Sequence, residues 1–311
     1  MQSNSGVVVI LGTGGTIAGR SVQAGDNVGY KAGELSVMDL VAAVPALQGR
    51  ALEAEQVAQL DSKDMDHATW QRLAQRVAHH LARSEVQGVV VTHGTDTAEE
   101  TAWLLQRVLA PSKPVVLAVA MRPASSLQAD GPQNLAEAVA VASAPGAQGV
   151  VLVADGRVHS AEDVRKLHGY RVGTFNSGDA GPVARLEEGR VMAQRPWPEG
   201  EALGVALLAR PVAEWPRVGL VCSHAGVDDW AVRAAVAEGL RGLVVEGTGN
   251  GTLNRALEPA LQDAQRAGLR VLRATRCLAG GVVGAPDGAW PSAGALTPAK
   301  ARVELLLQLL A

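Results

Sequence analysis

Short apolar runs alternate with amphipathic segments along most of the chain. Runs without a polar side chain are typical of strands buried on both faces of a parallel sheet, and four of them span residues 7–11, 88–91, 114–119 and 149–153. Apolar residues that recur every three or four positions predict helices over residues 36–44, 66–81, 99–109 and 134–142. This alternation predicts an α/β fold with a doubly wound, mainly parallel sheet flanked by helices.

The periodic pattern weakens after Val191 and resumes at Val218. A segment with proline near both ends lies between these points, which indicates a linker. We therefore predict a larger N-terminal domain at 1–194, a linker at 195–215 and a smaller C-terminal α/β domain at 216–311, and 311 residues are enough for two domains. The resumed pattern predicts strands at 218–222, 242–246 and 270–274, and helices at 230–240, 253–267 and from residue 298 onward.

Two of the buried strands run into turns rich in glycine and threonine. The first strand is followed by Gly12–Thr16, and the second leads to Gly94, Thr95 and Asp96. Because the carboxyl ends of parallel strands meet at one edge of a sheet, Thr16 and Thr95 are expected to face each other across a crevice. Hydrogen bonding within a tight turn explains either threonine better when it is considered alone. Asp96 fits a helix N-cap and a ligand for a cationic substrate group equally well.

Composition and charge exclude several classes of protein. A formal net charge of −3 and a pI near 6.2 give no basic face for nucleic acid, and no apolar window approaches the ~18 residues of a membrane span. We expect neither a nucleic acid nor a membrane as partner. The N-terminus lacks signal-peptide features, so we expect a cytoplasmic location, or a periplasmic one if a leader was removed. Cys222 and Cys277 are expected to be reduced thiols in the core.

The common cofactor and metal motifs are missing. No Gly-x-Ser-x-Gly, Walker A, His-Glu-x-x-His or Cys-x-x-Cys pattern occurs, and the His and carboxylate residues show no metal-ligand spacing. Gly12-Thr13-Gly14 could open a dinucleotide fingerprint, but Ile17 occupies the place of its third glycine. The remaining chemistry centres on threonine, whose hydroxyl is a poor nucleophile unless a base removes its proton.

The segments Thr13–Gly19 and Thr92–Thr97 resemble the two signature motifs of bacterial-type L-asparaginases. Further segments are similar to blocks of the family in the same order, and they span residues 120–123, 129–135, 247–251 and 296–302. The resemblance covers nearly the whole chain. It implies two α/β domains with the larger one first. It also implies an amidohydrolase that converts L-asparagine to L-aspartate and ammonia through a threonine nucleophile and an acyl-enzyme, with no metal or organic cofactor.

The resemblance implies a catalytic role for each of five residues. Thr16 matches the primary nucleophile, and Tyr30, in a polar loop with little to pack, matches a tyrosine that closes over the substrate. Thr95 matches the second threonine, and Lys166, placed by counting back from the Thr-Phe pair at 174–175, matches the lysine beside it. A partly desolvated lysine can accept or relay a proton. Asp96 matches the carboxylate that holds the substrate α-ammonium.

The resemblance also implies the substrate contacts. Ser62 matches a serine on the α-carboxylate, and main-chain N–H groups at Gly15 and Gly94 could donate to an oxyanion. Asn250 matches a residue that is donated by a neighbouring subunit. The family usually forms tetramers with sites at the interface of intimate dimers, so we expect a homo-oligomer.

Two departures from the family pattern affect selectivity. Lys63 stands where many relatives carry Gln or Glu, and a cation there should favour the α-carboxylate and repel the α-ammonium. Some relatives carry an additional acidic residue at the site. This chain has no clear match for it, although Asp287 lies nearby. Two alternatives therefore stay open: a glutaminase-asparaginase or an amidase on another amide, and a non-catalytic amino-acid-binding module.

Overall fold

The structure, a computed structural model, describes residues 6–21, 23, 25–284 and 290–311, so Asp287 lies outside the described residues. The chain divides into two units, Met1–Val205 and Ala206–Ala311. The domain limits at 194 and 216 stay predictions. None of the described helices is long and apolar enough to cross a membrane.

The first unit contains alternating strands and helices. In chain order they are β1 (Val7–Gly14), β2 (Arg20–Ser21), β3 (Tyr30–Lys31), α1 (Val37–Ala42), β4 (Leu52–Leu60), α2 (His67–Leu81), β5 (Val86–Thr92), α3 (Ala98–Leu109), β6 (Val115–Ala118), α4 (Gly131–Ala142), β7 (Val150–Ala154), β8 (Arg157–Ser160), β9 (Arg165–Lys166), β10 (Phe175–Asn176), β11 (Ala184–Glu187) and β12 (Arg190–Ala193).

In the described part of this unit, eight strands form one sheet in the order β12-β11-β8-β7-β6-β5-β1-β4. The five strands from β7 to β4 pair in parallel, while β8, β11 and β12 add an antiparallel edge. The central strands are buried because helices cover both faces, with α1 and α4 packed on one face and α2 and α3 on the other. The predicted fold class, a mainly parallel α/β sheet flanked by helices, is confirmed.

Local sequence signals explain where the helices begin. The Ser36 hydroxyl accepts a hydrogen bond from the backbone N–H of Asp39, whose carboxylate bonds back to Ser36, so α1 starts with a capping box. Helix α4 begins at Gly131, three residues before the predicted start, because Pro132 is tolerated in the first turn of a helix.

Other elements differ from the prediction. The edge strand β4 was not predicted, because its charged and amide side chains interrupt any apolar run. The antiparallel strands β11 and β12 were missed for the same reason, since partly exposed strands carry polar residues. Strand β8 was missed because it contains two buried polar residues, His159 and Ser160. The polar loop predicted around Tyr30 contains a short hairpin, in which Ser21 pairs with Tyr30.

The second unit contains β13 (Val218–Cys222), α5 (Trp230–Ala237), β14 (Gly242–Gly247), α6 (Glu258–Arg266), β15 (Arg270–Thr275) and α7 (Pro298–Leu310). Its described strands form a parallel sheet in the order β13-β14-β15, and the hydroxyl of Thr297 caps α7, which begins at residue 298 as predicted. Cys222 is half-buried and Cys277 is exposed, both as free thiols. The prediction of two core thiols is therefore wrong for Cys277, which lies in a loop after β15.

Candidate active site

The two glycine-threonine turns touch each other at the carboxyl edge of the large sheet. Strands β1 and β5 are parallel neighbours, so their turns emerge side by side. Gly15 has a φ of +81°, and a Cβ on it would lie 2.3 Å from both the Cα and the N of Gly94. Only glycine allows this approach. The backbone N–H of Gly15 donates to the carbonyl of Leu60 at 2.8 Å, so this N–H is not free for an oxyanion.

We expect Gly15→Ala to destabilise the fold by about 2–5 kcal/mol, because it adds a left-handed backbone penalty to a steric overlap with Gly94. Gly49→Ala is the matched control, since Gly49 has a similar φ of +76° but no heavy atom within 4 Å of its added Cβ. That variant should lose only about 1–2 kcal/mol. Urea unfolding of both variants measures the loss of stability in each. Equal losses would show that the close approach of the two turns adds no steric penalty.

Thr16 lies immediately after the turn with its side chain against the hairpin β2/β3. Its Oγ1 is 2.6 Å from the Oη of Tyr30, and the residue is 7% exposed. Gly19 makes room for this contact, because a Cβ there would lie 2.8 Å from Cδ2 of the Tyr30 ring. The structure therefore brings together Thr16 and Tyr30, the two residues that match the primary nucleophile and the closing tyrosine of the family.

A second polar cluster forms around Lys166, on β9. The Nζ of Lys166 donates to Oγ1 of Thr95 at 2.9 Å and to Oδ1 of Asp96 at 2.5 Å. Lys166 pairs with Phe175 of β10, the residue from which its position was counted in the sequence. Thr95 is buried and the Asp96 side chain is 52% exposed. The lysine thus links a buried hydroxyl to a carboxylate that a solute can reach.

Ser62 lies directly behind the second turn. Its Oγ accepts a hydrogen bond from the backbone N–H of Asp96 at 3.1 Å, and a Cβ on Gly94 would lie 2.4 Å from the same atom. The N-cap residue of α3 is Thr97, and the Asp96 carboxylate pairs with Lys166 instead. The N-cap alternative for Asp96 is therefore wrong.

Lys63 is held by its own neighbours in the chain. Its Nζ lies 2.7 Å from a carboxylate oxygen of Asp61 and 3.3 Å from one of Asp64. Hydrogen bonds to these two carboxylates raise the pKa of Lys63 above its usual value. The charge that was predicted to select the α-carboxylate is thus shared with two aspartates, and the effect of Lys63 on selectivity stays a prediction.

A buried chain of hydrogen bonds supports the second turn. His93 donates from Nδ1 to the carbonyl of Gly94 at 2.7 Å, and its Nε2 accepts from the hydroxyl of Thr101 at 3.0 Å. Thr101 in turn accepts from Nε1 of Trp70 at 2.8 Å. Complete burial lowers the pKa of His93 to about 4, so the ring stays neutral. Sequence reasoning missed this role, although the position of His93 between a buried strand and Gly94 was a signal for it.

We expect the protein to lose stability as the pH falls from 6.5 towards 4. Burial lowers the pKa values of both His93 and His159 to about 4, whereas an unfolded histidine titrates near 6.5. In this pH window the unfolded chain binds protons that the folded chain excludes, and each histidine removes about 1 kcal/mol of stability per pH unit.

Urea unfolding at a series of pH values measures this slope. His159→Gln should reduce it by about one proton, whereas His79→Gln, which changes an exposed histidine, should leave it unchanged. An unaltered slope in the His159 variant would contradict the prediction.

Asn250 lies in the second unit, after β14. Its Nδ2 donates to the carbonyl of Val283 at 2.7 Å, and its Oδ1 accepts from the N–H of Val283 at 2.7 Å. Both polar ends of the amide are thus bonded to the loop that follows β15. No group of three or more His, Cys, Asp or Glu side chains that could hold a metal occurs among the described residues.

Comparison with known proteins identifies the family of the chain. A sequence model described as "Asparaginase, N-terminal" matches residues 7–199, and one described as "Glutaminase/Asparaginase C-terminal domain" matches residues 217–311. The chain belongs to the asparaginase family. The family resemblance stated from the two threonine motifs is therefore confirmed.

Individual family members are similar over nearly the whole chain. A glutaminase-asparaginase of Pseudomonas fluorescens is 34% identical over 97% of this chain and 86% of its own length. L-asparaginase 2 of Escherichia coli is 36% identical over 97% of this chain and 88% of its own length. The crystal structure of a probable cytoplasmic L-asparaginase from Campylobacter jejuni matches with a TM-score of 0.92 and 34% identity, and it covers 98% of this chain and 95% of the other.

Proposed function

We propose that this member of the asparaginase family hydrolyses L-asparagine to L-aspartate and ammonia. The observation that carries the proposal is the pair of hydroxyl groups on neighbouring turns, each with its own proton-handling partner: Thr16 with Tyr30 at 2.6 Å, and Thr95 with Lys166 at 2.9 Å. A threonine hydroxyl becomes nucleophilic when an adjacent group takes its proton.

The substrate contacts follow from charge and position. The half-exposed carboxylate of Asp96 attracts the α-ammonium group, and we assign the α-carboxylate to Ser62, whose Oγ is bonded to the backbone of Asp96. Main-chain N–H groups of the 94–95 segment are the donors that we assign to the developing oxyanion.

In the first half of the reaction, Oγ1 of Thr16 attacks the carbon of the side-chain amide and gives up its proton through Tyr30 or Lys166. The carbon–nitrogen bond breaks, ammonia leaves with that proton, and a threonyl ester of aspartate remains. In the second half, water attacks the ester carbon and returns a proton to Thr16. Free aspartate leaves, and the enzyme returns to its starting state.

Steady-state kinetics on asparagine and glutamine, measured side by side as ammonia release, test the proposal. Turnover of asparagine with little on glutamine supports it. A glutamine rate equal to the asparagine rate favours the glutaminase-asparaginase alternative, and a relative in Pseudomonas fluorescens carries that name. Tight binding of asparagine in calorimetry without any ammonia release would contradict both and favour a binding module.

We further propose a tetramer of intimate dimers in the cytoplasm. The tetramer is inferred from the family pattern, in which Asn250 belongs to the site of a neighbouring subunit, and the compartment is that of the relative in Campylobacter jejuni. Light scattering at working concentration tests the assembly, and a monomer would overturn this role for Asn250. Fractionation of the source cells tests the compartment.

A further inference from the structure

The strand that carries Lys166 is bonded to the turn that follows it: the N–H of Leu167 donates to the carbonyl of Thr174 at 2.9 Å, and the N–H of His168 donates to Oγ1 of Thr174 at 2.9 Å. Strands β9 and β10 are two residues long each, and a ladder of that size is marginally stable by itself. The connecting residues 167–173 are mostly exposed. Lys166 nevertheless has to keep its Nζ near Thr95 and Asp96, and a lysine has a flexible four-carbon stem. Because the turn is bonded to the strand of Lys166, a contact that holds the turn from outside also fixes the backbone of Lys166.

Arg122 provides such a contact. Its Nη1 donates to the backbone carbonyl of Tyr170 at 2.7 Å, and its guanidinium carbon lies 4.2 Å from the centre of the Tyr170 ring. Arg122 is 6% exposed, whereas Tyr170 is 49% exposed. A buried cation thus anchors an exposed turn four residues after Lys166.

Arg122 is itself held in place. Its backbone N–H donates to one carboxylate oxygen of Asp130 at 2.9 Å, and the N–H of Met121 donates to the other oxygen at 3.0 Å. Nη1 also donates to the carbonyl of Met121 at 3.3 Å, while Nε has no hydrogen-bond partner among the described residues. The guanidinium is therefore oriented chiefly by Tyr170.

The same loop, residues 121–130, also supports the other half of the site. The N–H of Ala124 donates to the carbonyl of Gly19 at 2.9 Å, and the hydroxyl of Ser125 accepts from the N–H of Ser21 at 2.8 Å. Both contacts lie at the base of the hairpin β2/β3 that brings Tyr30 to Thr16. One loop thus contacts the elements that carry both proton-handling groups.

We propose that Arg122 is a positioning residue for Lys166: it clamps the carbonyl and ring of Tyr170 and so holds the lysine hairpin against Thr95 and Asp96. The proposal rests on the proposed function. Arg122 does not touch the reacting atoms, so its loss changes the geometry of Lys166 and not the chemical groups present in the site.

The first experiment compares Arg122→Gln with Arg122→Lys on asparagine. Arg122→Gln removes the cation over the ring and should lower kcat about 10- to 100-fold, with KM within about threefold of the parent, because misplacement of a catalytic group by about 1 Å has effects of this size. Arg122→Lys keeps a cation and a donor and should restore part of kcat. Tyr170→Phe keeps the ring and the carbonyl, and it should match the parent.

A double-mutant cycle with Lys166→Met separates positioning from general damage. If Arg122 acts through Lys166, adding Arg122→Gln to Lys166→Met should change kcat less than about twofold, whereas independent effects multiply. Tyr170→Leu in the same cycle should behave likewise, and it answers the question even if Arg122→Gln does not fold.

The outcomes are distinguishable. A parent enzyme that releases no ammonia from asparagine contradicts the proposed function. An active parent contradicts the role of Arg122 if Arg122→Gln keeps the parent's kcat. The role is also contradicted if the loss in kcat has the same size with and without Lys166.

Discussion

The Thr16→Ala enzyme is expected to release ammonia from asparagine at least about a thousand-fold more slowly than the parent, since removal of a nucleophile eliminates the covalent route as a whole. Thr16 is 7% exposed and its Oγ1 lies 2.6 Å from the Oη of Tyr30, so alanine removes the nucleophilic atom together with its contact to Tyr30. The measurement is kcat from ammonia release over a range of asparagine concentrations.

Two variants serve as controls for this prediction. Thr16→Ser keeps a hydroxyl at the same place and should retain a measurable part of kcat. Thr13→Ala removes the same atoms from the same turn, where Thr13 donates to the carbonyl of Thr92 at 2.8 Å, and it should cost about 1–3 kcal/mol of stability with kcat within about tenfold of the parent. An active Thr16→Ala enzyme would exclude Thr16 as the nucleophile.

Lys166→Met is expected to lower kcat about 10²- to 10⁴-fold, the usual contribution of a group that transfers protons. Methionine has a similar length without the charge, so the loss is confined to the two hydrogen bonds that Nζ donates to Thr95 and Asp96. KM should rise less than kcat falls, because the Asp96 carboxylate remains available to the substrate ammonium group.

Lys113→Met is the matched control. The Nζ of Lys113 donates to the backbone carbonyls of Leu81 and Arg83 at 3.0 and 2.7 Å, in the loop that leads into the amino end of β6. Its loss should lower stability and leave kcat close to that of the parent. If both lysine variants lose activity to the same extent, the effect of Lys166 is structural and its proton-transfer role is excluded.

The predictions that succeeded relied on signals within a few neighbouring residues. Uninterrupted apolar runs marked β1 and β5 as buried parallel strands, and the rule that such strands end at a common edge brought Thr16 and Thr95 to adjoining turns. The same reasoning missed strand β4 and antiparallel edge strands such as β11. Strands with a partly exposed face carry polar residues and therefore contain no uninterrupted apolar run.

The contacts of Lys166 had no signal in the pattern of apolar and polar residues around it. Its hairpin has a two-residue ladder, and nothing in the surrounding sequence distinguishes it from an exposed lysine except the spacing to Phe175. The choice between an N-cap and a ligand for Asp96 also needed the folded structure, because the side chain pairs with a residue 70 positions away.

The sequence by itself determined the fold class, the family, and the order of strands and helices along the centre of each unit. Local periodicity and contiguous motifs are sufficient to specify each of these. Only the tertiary structure decided which polar groups meet. Gly15 lies against Gly94, Tyr30 lies against Thr16, and Lys166 links Thr95 to Asp96. The physical reason is that hydrogen bonds and steric limits act over a few ångströms, whereas the residues that form this site are spread over 150 positions of the chain.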